Sequence, residues 1–136
     1  MAFAIKAEVR DGLAETFAFT ARKTMYGGKH VAAGDTIFVF ASETEGGHGL
    51  IARGVVTWAQ ALPRIPGVER QTPRVSLAIR RTALAKRSLG WRELRRLTNW
   101  HDGDPGAELN FKFYRQATNK VVGLSTAATS FLEGFF

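Results

Sequence analysis

VAAGDTIFVFASE, residues 31–43, contains the clearest strand signal in this chain. A turn at Gly34 and Asp35 leads into Thr36–Ala41, where the letters IFVF form an uninterrupted apolar run. Such a run, bounded by turn residues, is typical of a central strand that is buried on both faces. The sequence therefore predicts a buried strand at residues 36–41.

Other segments also have the patterns of strands. Alternating or short apolar runs predict them at residues 3–9, 50–58, 74–80 and 109–114. Gly54, in the middle of the second of these, indicates a β-bulge or a close approach of another chain segment. In residues 74–80 one face is apolar and the other carries Arg74 and Arg80, so this strand is expected to offer a basic face to solvent.

Helical patterns are fewer. Apolar residues spaced three and four apart predict a C-terminal helix over residues 128–136, with Ser125 as its N-cap. A short helix is expected around Trp91, with Ser88 as a candidate cap and Arg92, Arg95 and Arg96 on its exposed side. Residues 13–25 are the candidate for another helix. Residues 63–73 and 101–107, rich in glycine and proline, are expected to be loops.

Length and composition fit one small domain. The chain has 136 residues, 45% of them hydrophobic, and no cysteine, which excludes disulfides and thiolate metal sites. His30, His48 and His101 share no ligand spacing, so neither a metal nor another cofactor is expected. No apolar run is long enough to span a membrane, and residues 1–9 do not have the pattern of a signal peptide. We therefore expect a cytoplasmic protein with no membrane contact.

The positive charge is concentrated in one quarter of the chain. The formal net charge is +7. Residues 64–96 alone carry ten basic residues and two acidic ones, while the rest of the chain is close to neutral. Nine of the ten are arginines, which bind phosphate in a forked geometry and stack on bases. This imbalance favours a surface that binds a polyanion.

Three segments, in their order along the chain, resemble the EVE domain family within the PUA-like group of barrels. They are VAAGDTIFVFASE at residues 31–43, GLIARGVVT at 49–57 and FKFYRQATNKVVGLSTAATSFLEGF at 111–135. The related ASCH domains share the Gly-Asp turn and the strand after it. The resemblance implies an α+β fold over residues 1–136, a small mixed PUA-like β-barrel of about five to six strands with two or three flanking helices. It also implies a late strand at the Arg115-Gln116 dipeptide that leads to the final helix.

Nucleic-acid recognition is the function that the resemblance implies. PUA-like barrels bind RNA, and EVE-like members are thought to house a flipped, often modified base. Such a base needs an aromatic wall, polar groups for its edge and a basic rim for the flanking phosphates. The expected pocket residues are Lys23, Tyr26, Ser42, Glu43, Trp58, Arg115, Gln116, Asn119 and Lys120. The expected phosphate surface comprises Arg74, Arg80, Arg81, Lys86, Arg87, Arg92, Arg95 and Arg96.

The sequence contains no recognisable set of catalytic residues, so a non-catalytic module that binds RNA or modified DNA is the favoured interpretation. One alternative is a nuclease-like enzyme that acts on RNA, as an ASCH-like domain would. Another is an interaction module whose positive surface binds an acidic protein or a small ligand. The sequence leaves the oligomeric state open.

Overall fold

The structure, a computed structural model, describes residues 1–100, 103–116 and 118–136. The strands are β1 (Ala2–Ala7), β2 (Thr16–Met25), β3 (Thr36–Ala41), β4 (Gly49–Ala61), β5 (Arg74–Leu84) and β6 (Lys120–Gly123). The helices are α1 (Trp91–Leu94), α2 (Pro105–Asn110), which a π-helical segment (Phe111–Arg115) continues, and α3 (Thr126–Glu133). Short 3₁₀ turns occupy Gly28–His30 and Glu43–Glu45. No helix in the described residues is long and apolar enough to cross a bilayer.

The six strands close into a barrel in the order β1-β3-β4-β5-β2-β6. β1 pairs in parallel with β3, and β2 pairs in parallel with β6, while the other neighbours are antiparallel. The predicted small mixed α+β barrel of about five to six strands with two or three flanking helices is therefore confirmed.

The protein has two apolar cores, and β3 contributes to both. Ile37 and Val39 point into the barrel, while Phe38 and Phe40 point outwards and pack beneath the helices. Because alternate residues of a strand face opposite sides, a strand between two cores needs apolar residues at every position. This is the reason for the continuous IFVF run.

Gly54 lies at a shift in strand pairing and at a close approach of two strands, as the sequence predicted. The pairing of β4 with β5 shifts between Arg53 and Gly54. A Cβ at Gly54 would lie 2.5 Å from Ile79 Cγ2 and 2.7 Å from the backbone oxygen of Arg80. Only glycine allows β5 to approach this closely.

The prediction of a strand at residues 109–114 is wrong, because this segment is helical. Asp104 caps α2 by accepting hydrogen bonds from the backbone of Gly106 (2.8 Å) and Ala107 (3.3 Å), and Pro105 occupies the first turn. The alternation of polar and apolar residues is typical of a strand, but Lys112 does not face solvent as that pattern requires. It is buried beside Glu108, one helical turn away. The implied strand at Arg115 and Gln116 is likewise absent, since the π-helix runs to Arg115 and the last strand, β6, begins only at Lys120.

Two smaller predictions also need correction. Residues 13–25 do not form a helix: Phe17 and Phe19 point into the barrel from β2 because the segment alternates in a period of two. Ser88 is not the cap of α1, which begins after Gly90, where the Glu93 side chain accepts a hydrogen bond from the Gly90 backbone. The C-terminal helix and its Ser125 cap are confirmed, and residues 63–73 form a loop. His101 and Asp102 of the second expected loop lie outside the described residues.

Candidate functional site

A group of polar side chains meets at the end of the barrel where β1 and β3 finish and β6 starts. Lys6, near the end of β1, is paired across the sheet with Lys120, the first residue of β6. Both point away from the barrel interior, toward the helical layer, because Lys6 alternates with Ile5 and Ala7 of the barrel core. The π-helical segment covers them. We call this group the polar end.

The two lysines are buried and lie close to the π-helix. Lys6 Nζ donates a hydrogen bond to the backbone carbonyl of Phe113 at 2.6 Å and lies 4.7 Å from the centre of the Tyr114 ring. Lys120 Nζ donates to the backbone carbonyl of Gln116 at 3.2 Å. Two cations are therefore held side by side with little access to water.

Glu43 supplies the negative charge of the polar end and ties two helical elements to it. Its Oε1 accepts a hydrogen bond from the Tyr114 hydroxyl at 3.1 Å, and its Oε2 accepts one from the backbone N–H of Trp91 at 2.7 Å. A Cβ at Gly90 would lie 2.7 Å from Glu43 Oε2. Glycine at the start of α1 is what allows the carboxylate to approach.

Burial shifts the ionisation of these groups. Desolvation lowers the pKa of Lys6, although the nearby Glu43 acts in the opposite direction. Desolvation, together with the charge of Lys6, lowers the pKa of Lys120 to about 8. Desolvation and Glu43 raise the pKa of Tyr114, which stays protonated as a donor. Strongly shifted groups that cluster in this way are typical of functional sites.

Hydrogen-bonding capacity at the polar end remains unused by the described residues. Each ammonium group has three donors, and each lysine has one acceptor among these residues. The Oδ1 atom of Asn119 and the Nε atom of Arg22 are buried without a partner among these residues. Asn119 directly precedes Lys120, whereas Arg22 pairs with Val75 of the barrel core and lies over the Phe19 ring, so its Nε belongs to the barrel face of β2 and not to the polar end. Buried polar groups are nearly always satisfied by protein, by ordered water or by a ligand, so a water molecule or a polar ligand can complete this arrangement.

A cavity of about 520 Å³ opens beside Glu43, a size within the usual range for ligand pockets. Its lining includes Trp91 and Arg92. The Trp91 side chain is 46% exposed, and the Arg95 guanidinium lies 4.7 Å from its ring centre. An accessible indole with an arginine on it can stack against a planar ligand.

The structure brings six of the predicted pocket residues to the polar end or to the turn that leads into it. They are Ser42, Glu43, Arg115, Gln116, Asn119 and Lys120. Ser42 is buried where β3 ends, and its hydroxyl lies 3.0 Å from that of Thr44, so it closes the strand. Arg115 and Gln116 are exposed and directly follow Tyr114.

The other three predicted pocket residues lie elsewhere. Lys23 pairs with Arg74 across β2 and β5 and lines a separate cavity at the β4–β5 loop. Tyr26 packs edge-on against Phe111, with ring centres 6.0 Å apart. Trp58 is 48% exposed and pairs with Ala78 across β4 and β5.

The predicted phosphate residues extend along β5 and onto α1. Three of them also bind the backbone of other segments: Arg74, Arg81 and Arg87 donate to the carbonyls of Ala21, Leu13 and Gly134. Arg95 stacks on Trp91. The remaining four, Arg80, Lys86, Arg92 and Arg96, are exposed and have no side-chain partner among the described residues.

Sequence reasoning missed three residues of the polar end and its cavity. Lys6 and Trp91 were not among the predicted pocket residues, and Tyr114 was assigned to a strand that does not exist. A lysine directly opposite another lysine becomes visible only once the pairing of β1 with β6 is known. The period-two pattern around Lys6 gives no such signal.

No family model and no curated protein sequence matches the chain. Solved structures share its fold. Human THYN1 protein in complex with 5-methylcytosine-containing DNA is 14% identical, with a TM-score of 0.64 and coverage of 98% of this chain and 95% of that one. The DUF55 domain of human thymocyte nuclear protein 1 is 13% identical, with a TM-score of 0.62 and coverage of 98% and 97%. A Pseudomonas putida protein is 11% identical, with a TM-score of 0.62 and 99% coverage of both chains. The chain thus has the fold of the DUF55 domain.

Proposed function

We propose that this protein is a non-catalytic nucleic-acid-binding module that receives one base at the polar end of its barrel. The observation that carries this proposal is the buried group of polar side chains at the polar end, which Glu43 links to the cavity lined by Trp91 and Arg92.

The polar end offers both kinds of group that a base edge requires. Lys6 and Lys120 donate to carbonyl oxygens and ring nitrogens, while Glu43 and the Asn119 side-chain oxygen accept from exocyclic amino groups. Hydrogen bonds to charged groups are the stronger ones, particularly where water is excluded. Trp91 supplies a face for stacking. A base outside its helical stack that enters the cavity would contact Glu43 and Trp91 there.

Three exposed arginines, in α1, at its C-terminal end and in the π-helix, are the proposed contacts to the backbone of the same strand. Arg92 lines the cavity, Arg95 lies on Trp91, and Arg115 follows Tyr114. Guanidinium groups bind phosphate oxygens, and such contacts position the nucleic acid without reading its sequence. The crystal structure of human THYN1 with 5-methylcytosine-containing DNA supports a nucleic-acid ligand for this fold. We extend the proposal to a modified base on that ground.

Fluorescence anisotropy with labelled oligonucleotides tests the proposal. The set contains single- and double-stranded DNA and RNA, with cytosine or 5-methylcytosine, at about 50 mM salt, where phosphate contacts are strong. We expect Trp91→Ala to weaken binding about 5- to 160-fold, since stacking is worth roughly 1–3 kcal/mol per base.

Trp58→Ala is the matched control, because Trp58 is 48% exposed and Trp91 is 46% exposed. It should bind as the unaltered protein does. Absence of binding to every oligonucleotide would refute the proposal. Equal losses of affinity in Trp91→Ala and Trp58→Ala would show that the base does not bind at the polar end.

A second candidate function is cleavage of nucleic acid. The observation that favours it is Lys120, because a lysine whose pKa is about 8 can accept a proton near neutral pH. Incubation of labelled RNA with the purified protein decides between the two functions. Cleavage that is lost in Lys120→Met would show an enzyme, whereas binding without cleavage supports the module.

A further inference from the structure

The loop between β4 and β5 is a separate exposed feature of the molecule. Every residue from Ala61 to Arg70 is exposed to solvent. We call residues 62–73 the tip loop. Its two ends are fixed to the barrel: the Leu62 N–H donates to the carbonyl of Arg74 at 2.9 Å, and the backbone and hydroxyl of Thr24 donate to the carbonyl of Pro73 at 3.0 and 2.8 Å.

The tip loop has a defined internal structure in spite of its exposure. Pro66 and Gly67 occupy the centre of a turn closed by Val68 N–H and the Ile65 carbonyl at 3.4 Å, and Gly67 has a φ of +81°. Proline followed by a glycine with positive φ is the signature of a type II turn. The Gln71 amide accepts from Ile65 N–H at 2.8 Å and donates to the carbonyls of Ile65 and Val68 at 2.7 and 2.6 Å. A loop held in this way loses little further entropy when it binds.

The turn presents aliphatic side chains between cations. Ile65 is 63% exposed and Val68 is 45% exposed. Arg64 and Arg70 flank them in the sequence. Lys23 and Arg74 lie at the base of the loop, where they line a cavity of about 390 Å³. None of these four cations forms an ion pair with a carboxylate in the described parts of the chain.

We propose that the tip loop inserts Ile65 and Val68 between stacked base pairs of duplex DNA, while the four cations bind the phosphates beside the insertion. This inference rests on the proposed function and adds a second contact to it. Apolar side chains inserted at a base step unstack it and bend the duplex, which brings more protein surface into contact with DNA. The unstacked step lowers the energy needed to extrude a base.

The positive charge around Ile65 and Val68 favours duplex DNA as the partner of the tip loop. Aliphatic groups alone would fit any apolar partner, but here they stand among cations on a preformed turn. A stacked duplex supplies an apolar step between two rows of phosphates, which matches that arrangement. Insertion of apolar wedges at a base step is a mode of minor-groove binding to duplex DNA, so DNA is the proposed duplex.

The test uses the full chain and a DNA duplex that contains 2-aminopurine, whose fluorescence rises when it is unstacked. The unaltered protein should raise the fluorescence. The double variant Ile65→Ser/Val68→Ser should not raise it, and it should bind the duplex about tenfold more weakly, the scale expected for loss of aliphatic burial. Its affinity for a single strand and its salt dependence should not change, because the cations remain.

Leu13→Ser is the matched control. Leu13 is an aliphatic residue outside the tip loop and is 72% exposed. It should behave as the unaltered protein in every assay. A separate variant, Arg64→Gln/Arg70→Gln, should reduce the slope of log affinity against log salt by about 0.9 for each phosphate that the variant no longer binds.

The outcomes separate the two proposals. Failure of the unaltered protein to bind any nucleic acid overturns both. Duplex binding with no rise in fluorescence, or with equal affinity in Ile65→Ser/Val68→Ser, overturns the insertion alone. Binding to vesicles that contain phosphatidylserine, lost in that double variant while duplex binding persists, would assign the tip loop to a membrane surface and would also overturn it.

Discussion

Replacement of Lys120 by methionine should make the protein more stable and a weaker binder at the same time. Methionine keeps the length of the buried stem and removes the charge. The change also removes the hydrogen bond to the Gln116 carbonyl, worth about 1 kcal/mol net. Substitution of a buried charge by an apolar group of similar size is often stabilising.

The magnitude follows from the pKa of the lysine. Burial and Lys6 lower it from 10.5 to about 8. A difference of about 2.5 in pKa corresponds to about 3 kcal/mol, by which the buried charge destabilises the folded state below pH 8. After the lost hydrogen bond is subtracted, Lys120→Met should raise the free energy of unfolding by about 2 kcal/mol at neutral pH.

The pH dependence has a definite sign. Between pH 8 and 10.5 the unfolded chain holds a proton on Lys120 that the folded protein has released. The free energy of unfolding of the unaltered protein therefore rises with pH through this window. Lys6, whose pKa is also lowered, adds a slope of the same sign. The raised pKa of Tyr114 acts in the opposite direction above about pH 10, the ordinary value for tyrosine.

Urea unfolding at several pH values from about 7 to 9.5 measures both the stability gained in the variant and the pH dependence of stability. This range lies below the pH at which ionisation of Tyr114 in the unfolded chain would contribute. The free energy of unfolding of Lys120→Met should be higher than that of the unaltered protein at pH 7, and it should rise less as the pH increases. Anisotropy with the same oligonucleotides should show weaker binding. A variant that is less stable at neutral pH, or an unaltered protein whose stability does not rise with pH, would refute the reasoning.

Other substitutions test the packing and the surface. Glu108→Gln leaves Lys112 buried without its carboxylate and should lower the free energy of unfolding by about 3–5 kcal/mol in urea titrations; a loss below about 1 kcal/mol would contradict a buried pair. Gly54→Ala places a Cβ 2.5 Å from Ile79 Cγ2, and overpacking should lower stability by about 1–3 kcal/mol or more in thermal unfolding. Arg96→Gln should leave stability unchanged and reduce the salt slope of nucleic-acid binding by about 0.7–0.9; an unchanged slope would remove Arg96 from the phosphate surface.

Patterns among neighbouring residues correctly predicted the elements whose conformation depends only on those neighbours. Thr36–Ala41 was found with its correct bounds because a strand buried on both faces needs continuous apolar residues. The cap at Ser125 was found because a capping side chain acts within one helical turn. Arg64–Arg96 was recognised as a basic segment from composition alone.

Local signals failed where distant residues decide the conformation. The alternation from Leu109 to Tyr114 predicted a strand, yet the capped helix prevails, because Lys112 is buried beside Glu108 and also donates to the Gly123 carbonyl at 2.8 Å. β6 has only four residues. It is a strand because β1 and β2 lie on either side of it, and its own sequence gives little indication.

By itself the sequence determined a small basic α+β barrel with its excess charge in one segment, since periodicity, capping and composition depend on neighbours along the chain. Tertiary structure alone decided which polar groups meet. Lys6 and Lys120 are neighbours because β1 and β6 pair, and Glu43 reaches Trp91 and Tyr114 because two helical elements pack over that end of the barrel. The physical reason is that the pKa of a group and its free hydrogen-bonding capacity depend on burial and on through-space neighbours, which closure of the sheet creates.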